Sequence, residues 1–344
     1  FSDSNNPHEL AIAATNNLTD NQIFHIPHIL ISVYTNDDSS HRSPPFVKVD
    51  HPLPEPLPKV SILIPTKNQG KLLRRCVSSL HELTDYEEIE IIVIDHETSE
   101  KNALKFIESL KERENFLVTK FFGEFNFSAQ INQASDLASG EILILLNNDT
   151  EVIQKDWLKK LVSQVSRPEI GIVGPILLFS NRTIQHAGIH PGSDGLMGHG
   201  HKHLEGNHGG YFSRLKVAHE VAAVTGACMA IEKKTWKLLG GLDEESLPVA
   251  YNDVDLCLKA RKEGFRVLLV PEAKLLHHES ASRGIDKEIF DNPRLIRELS
   301  IMSERWRDFL SVDPAYNPNL SFDGGSFSLA SQPRALANWK IQSN

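Results

Sequence analysis

Three polar segments, each following a short apolar run, carry residue types that bind ions and phosphates. Ile64 is followed by Pro65-Thr66-Lys67-Asn68-Gln69-Gly70, Ile94 by Asp95-His96-Glu97-Thr98, and Leu146 by Asn147-Asn148-Asp149-Thr150-Glu151. If the three runs are parallel strands of one sheet, their ends share an edge, where ligands bind. Asp149 then supplies a carboxylate suited to a hard cation. Polar residues end many strands; it is the coincidence of three that points to a crevice. No GxGxxG or GxxxxGK[ST] loop follows the first run, which counts against a dinucleotide enzyme or a P-loop NTPase. A nucleotidyltransferase would need a triphosphate clamp from Lys67, Lys71, Arg74 and Arg75, which read instead as a solvated helix face or diphosphate contacts.

Asn252-Asp253-Val254-Asp255 opens a helical stretch. Asn252 suits an N-cap, and the helix dipole favours acids in a first turn by up to ~1 kcal/mol, so a structural reading competes with a chemical one. His277 and His278 are adjacent, and on an extended chain they face opposite sides, so one can serve a site while the other packs or caps. The segment His199-Gly-His-Lys-His203, with His186, His190, His208 and His219 around it, lacks the Cys partners or HExxH spacing of a zinc site. It reads as a flexible lid or acceptor loop.

Positioning these residues requires a sheet. Runs at 60–64, 90–94 and 142–146 read as buried strands, and 71–83, 101–114 and 128–138 show helical spacing. That alternation implies an α/β fold with a mostly parallel sheet flanked by helices. Further strands are expected at 171–179, 221–231 and 265–270, helices at 157–165, 233–239 and 254–263, a long Gly/His-rich loop over 186–210, and a charged helix over about 287–310. Residues 51–58 place proline at every second position and read as a semi-rigid linker. The domain is therefore expected at 59–285, after a polar 1–50 segment and before a C-terminal helix and tail at 286–344.

The 344 residues carry 36 Lys+Arg against 45 Asp+Glu, a formal charge of −9, which argues against a nucleic-acid binder working through a basic face. With 40% hydrophobic and 24% charged residues the chain has globular composition. Cys76, Cys228 and Cys257 form no CxxC pattern and suit a reducing compartment. No apolar run approaches the ~20 residues needed to span a bilayer. A cytoplasmic location is expected, with any contact with the inner membrane peripheral.

The chain closely resembles the family 2 glycosyltransferases of GT-A fold, in particular bacterial enzymes of O-antigen and capsule-type polysaccharide assembly. The resemblance rests on Val60-Ser-Ile-Leu-Ile-Pro-Thr66, Ile91-Ile-Val-Ile-Asp95, Phe125-Asn-Phe-Ser-Ala129 and Ser139-Gly-Glu-Ile-Leu-Ile-Leu-Leu-Asn-Asn-Asp149. Val224-Thr-Gly-Ala-Cys-Met-Ala230, Gly240-Gly-Leu-Asp-Glu244, Tyr251-Asn-Asp-Val-Asp255 and His277-His-Glu-Ser-Ala-Ser-Arg-Gly284 continue it in the same order. The resemblance implies an inverting transferase using a nucleotide-diphosphate sugar, a divalent metal (Mn²⁺ or Mg²⁺) and a glycan or lipid-linked glycan acceptor. It assigns Pro65, Thr66, Lys67, Asp95, Asn126, Asn132, Asn147 and Asn148 to the donor and Asp149 and His277 to the metal. Asp253 becomes the general base, with Asp255 as the alternative, and Gly226, Ala227 and His186 lie toward the acceptor. Arg283 is a further candidate for a phosphate. The family's Asp-x-Asp is here Asn147-Asn148-Asp149, which leaves one carboxylate and a weaker hold on the ion. The alternative is a transferase-like module that binds nucleotide or glycan without catalysis. His25-Ile-Pro-His-Ile-Leu30 resembles the end of another such domain, as in a tandem transferase.

Overall fold

The computed structural model describes residues 50–192, 196–278, 292–311, 313–321 and 327–332. Residues 1–49, with the tandem-domain reading placed on them, and Arg283 lie outside the described residues.

The first strand, β1 (Val60–Thr66), pairs in parallel with β2 (Ile89–His96) from Val60↔Ile89 to Thr66↔Asp95. Between them α1 (Gly70–Leu83) buries Leu73, Cys76, Val77 and Leu80 at helical spacing. Its start packs against α2 (Lys101–Leu110) at Gly70, where a Cβ would stand 2.8 Å from the Ala103 Cα. β3 (Phe116–Phe121) extends the sheet on one side; α3 (Phe127–Leu137) then leads to β4 (Ile142–Leu146), which pairs with the other side of β1. The C-terminal ends of β1, β2 and β4 thus lie on one edge.

The chain continues through β5 (Thr150–Val152), α4 (Trp157–Val165), β6 (Ile170–Leu178), β7 (Ile184–His186), and a hairpin of β8 (Ile189–Pro191) and β9 (Met197–His199). After β10 (His219–Glu220) come β11 (Cys228–Glu232), α5 (Lys233–Leu239), α6 (Asn252–Lys262) and β12 (Arg266–His277). Two helices follow, α7 (Pro293–Arg305) and α8 (Arg307–Ser311). The ten-stranded sheet has the order β10-β12-β6-β11-β4-β1-β2-β3, with β5 on β12 and β7 on β6. Its main strands run one way except β11 and β10.

Alternation along β1 explains the layering. Ile62 and Ile64 face a core with Leu73, Val77 and Trp157, while Leu63 faces another with Phe127, Ile131 and Trp236. Each such side chain stabilises the fold by roughly 1.5–3 kcal/mol when fully buried. The three cysteines are free and buried.

Departures from the sequence expectations have local causes. The second helix ends at Leu110 because Lys111-Glu-Arg-Glu-Asn115 offers no apolar anchor, and β3 was hidden by its half-exposed edge pattern. Residues 221–227 are buried except for Thr225 but irregular, and the strand begins only at Cys228. β12 continues past Pro271 through a register shift between Val270 and Lys274, so it carries His277. The 186–210 stretch is not one long loop; it contains the β8–β9 hairpin and buries His186, His190 and His201. The charged helix is broken at Trp306. The proline-rich stretch lies along the domain, where Leu53 and Leu57 pack on the core and the Tyr86 hydroxyl donates to the Pro58 carbonyl. Among the described residues, no helix is long and apolar enough to cross a membrane.

Candidate active site

A cavity of about 470 Å³ opens at the sheet edge where β1 and β4 end. Of the expected residues, Pro65, Thr66, Lys67, Asn147, Asn148 and Asp149 line it, joined by Asn68, Gln69, Phe125, Phe127, Gln130, Val249 and Arg294. The Asn148 amide donates to the Thr66 hydroxyl at 2.8 Å, joining the two strand tips.

Asp95 stands beside Thr66 in the β1–β2 register, buried, and its Oδ1 accepts from the Thr98 amide. Thr98 in turn accepts from the Asn68 amide, and the Asn68 side chain accepts from the Ser99 and Glu100 amides. This lacing holds Asn68 and Gln69 at φ 56° and 53°, left-handed values that non-glycine residues seldom adopt. Of the four basic residues near this tip, only Lys67 lines the cavity. Arg74 lies over the Phe106 ring and Arg75 approaches Glu151.

Asn126 and Asn132 brace a neighbouring segment. Asn126 caps α3 by accepting from the Ala129 amide and donates to the Glu244 carbonyl. Asn132 donates to the Leu242 carbonyl and the Glu244 carboxylate and accepts from the Leu242 amide. Neither lines the cavity.

Asp149 is 5% exposed. β5 pairs with β12 so that His277 lies opposite Thr150, which brings the His277 Nε2 within 3.1 Å of the Asp149 Oδ1. The His277 Nδ1 lies 2.7 Å from the Gln185 Oε1 and so carries a proton, turning Nε2 toward the carboxylate. A carboxylate oxygen and an imidazole nitrogen this close are held apart by their lone pairs unless a proton or a cation lies between them. The pair fits two ligands of a divalent ion, and its nitrogen donor suits Mn²⁺ better than Mg²⁺. Among the described residues no group of three or more His, Cys, Asp or Glu side chains could hold an ion. The remaining ligands would have to come from substrate or water. His278 faces the other way, with Nε2 2.8 Å from Glu151 and Nδ1 2.8 Å from the Ser180 hydroxyl.

Asp253 sits in the first turn of α6, its Oδ2 accepting from the Gly226 amide at 2.8 Å. A Cβ on Gly226 would stand 3.4 Å from the Asp253 Cβ and 3.8 Å from the Phe127 ring, so the bare glycine lies between the acid and a cavity-lining aromatic. The next carbonyl, on Ala227, accepts from the Asn147 amide. Asn252 is not the cap; Tyr251 precedes the helix, and the buried Asn252 side chain donates to the Ser128 hydroxyl. Asp255 is fully buried and engaged by Arg305, Lys259 and the Trp306 indole, each within 2.9 Å. It ties the C-terminal helices to α6, and only Asp253 reaches Gly226.

His186, at the end of β7, is buried with its Nδ1 2.9 Å from the His199 Nδ1. Burial, followed by His199, His190 and His277, holds its pKa well below the ordinary histidine value, so the ring is neutral. Its neighbour Gln185 is the residue that orients His277. Neither Gln185 nor Arg294 stood out in the sequence; the first lies in a plain strand and the second 145 positions from Asp149.

The sequence model of Glycosyl transferase family 2 matches residues 61–235. The chain is 41% identical over 288 residues to the uncharacterised protein y4gI of Sinorhizobium fredii, covering 83% of this chain and 32% of that one. It is 36% identical over 279 residues to the O-antigen biosynthesis protein RfbC of Myxococcus xanthus, covering 80% and 21%. It therefore spans about a third or less of the length of these two relatives. The fold is similar to that of GalNAc-T7, solved with UDP, GalNAc and Mn²⁺, at a TM-score of 0.56 and 18% identity, covering 79% of this chain and 53% of that one. The mostly parallel sheet with helices on both faces is the GT-A fold, and the chain belongs to glycosyl transferase family 2.

Proposed function

We propose that this chain transfers a sugar, with inversion, from a nucleotide-diphosphate donor to a hydroxyl of a glycan acceptor in bacterial surface-polysaccharide assembly. The observation that carries the reading is the Asp149–His277 pair, 3.1 Å apart beside the cavity. The donor nucleotide lies against the β1 tip, with Thr66, Lys67 and Asn148 toward the phosphates and Asp95 behind them. Asp149 and His277 would hold a divalent ion, which would supply positive charge to the departing diphosphate. Asp253 takes the acceptor hydroxyl proton, and its bond from the Gly226 amide keeps it aimed. His186 remains neutral and serves the acceptor side with Gly226 and Ala227. The likeness to RfbC, an O-antigen biosynthesis protein, supports an O-antigen-type acceptor.

Calorimetric binding of a panel of nucleoside diphosphates, with and without Mn²⁺, tests this on wild type and Asp149→Ala. Metal-dependent binding of one nucleotide, lost in the variant, is expected. A folded wild-type chain that binds none would point to a glycan-binding module without catalysis.

A further inference from the structure

Arg294 enters the cavity from α7, well beyond the residues that the family's sequence model matches. Asn292 caps that helix by accepting from the Arg294 and Leu295 amides, and Pro293 opens it, so the turn bearing Arg294 is fixed. A cation in a first turn is opposed by the helix dipole. Its ion-pair partner among the described residues is Glu298, at 3.3 Å, while the Arg294 side chain stays 43% exposed. Glu298 is itself buried, and its two oxygens already accept from the Val249 and Ala250 amides at 3.1 and 3.2 Å. Glu298 thus braces the segment leading to Asp253 and holds Arg294 only loosely. Local preference and placement disagree at Arg294, and such conflicts mark functional positions.

The rest of the cavity indicates what the guanidinium is for. Asn147-Asn148-Asp149 contributes a single carboxylate, so a bound ion is held by less charge than a two-carboxylate motif provides. A departing nucleoside diphosphate needs positive charge, and a planar guanidinium can give two parallel N–H bonds to phosphate oxygens. Lys67, from the β1 tip, lines the same cavity. We infer that Arg294 binds the donor diphosphate, so that α7 completes a leaving-group site that the β1 and β4 tips only begin. This rests on the transferase reading above.

The test compares a nucleoside diphosphate with its monophosphate in calorimetry on the full chain with Mn²⁺. Arg294→Ala is expected to weaken the diphosphate about tenfold or more and the monophosphate no more than about twofold. Arg294→Lys, which keeps the charge but not the fork, should fall between and serves if the alanine variant does not fold. Unchanged diphosphate affinity, or equal loss for both nucleotides, overturns the assignment. Wild type binding neither nucleotide would instead sink the transferase reading, and this inference with it.

Discussion

The two halves of the sheet organise their polar residues in opposite ways. Around β1, β2 and β4 the strands are parallel, nearly all apolar and finished by short polar tips. The half-buried charge on β2 has a structural role. Glu90 accepts from the Ser61 and Ser139 hydroxyls and the Ser139 amide, stitching β1, β2 and the approach to β4 together. From β6 onward strand lengths range from two residues to twelve, directions mix, and His186, His190, His201, His277 and Asp255 are buried. In the function proposed above, the first half carries the nucleotide-facing tips and Asp149, and the second brings His277 and Asp253 to them. Regular burial yields a scaffold, and chemistry accumulates where regularity is broken.

The comparison is sharpest at Asp253 and Asp255, two turn-mates with different surroundings. Asp253→Asn is expected to cut sugar transfer by about 10²–10⁴-fold with nucleotide binding nearly unchanged, read by steady-state kinetics beside calorimetry. Loss of nucleotide binding in that variant would remove the distinction between base and scaffold. Asp255→Asn should lower stability by about 3 kcal/mol, seen in urea unfolding, because Arg305 and Lys259 lose their buried counter-charge. An unchanged unfolding midpoint would break that assignment.

Glu90 gives the corresponding prediction for the first half. Burial opposes its ionisation, but hydrogen bonds from Ser61, Ser139 and Lys59 prevail and hold its pKa at about 2. Its folded value is below the ordinary carboxylate value of 4.5, so its stabilisation is complete above about pH 4.5 and is lost as pH falls toward 2. Glu90→Gln should therefore cost about 2–3 kcal/mol at pH 7 and much less at pH 3, by denaturant titration at the two pH values. An equal cost at both would show that packing, not charge, matters there.

The same contrast decides what could be read from the sequence. β4, α4 and α5 end where their apolar pattern ends, because each is bounded by polar or glycine punctuation. β3 escaped because an edge strand mixes exposed and half-buried residues, and the β8–β9 hairpin because its strands are three residues long and too short to show a period. At the site, Asp149 and His277 are legible as motif residues. That Asp253 rather than Asp255 meets Gly226, and that Gln185 orients His277, depends on tertiary placement alone. Arg294 belongs to the same class, brought in by a helix whose packing no local pattern announces.

The register shift in β12 has a consequence for how the Asp149–His277 pair tolerates insertions and deletions. The shift at Val270–Lys274 is where the strand gains or loses residues against β6. Elsewhere, a slip of one position would turn every following side chain to the wrong face. Here two histidines stand in succession, so losing one residue at the shift would carry His278 into the seat opposite Thr150. The imidazole facing Asp149 would change its number and keep its chemistry, and the tandem histidine makes this strand end forgiving of a one-residue length error.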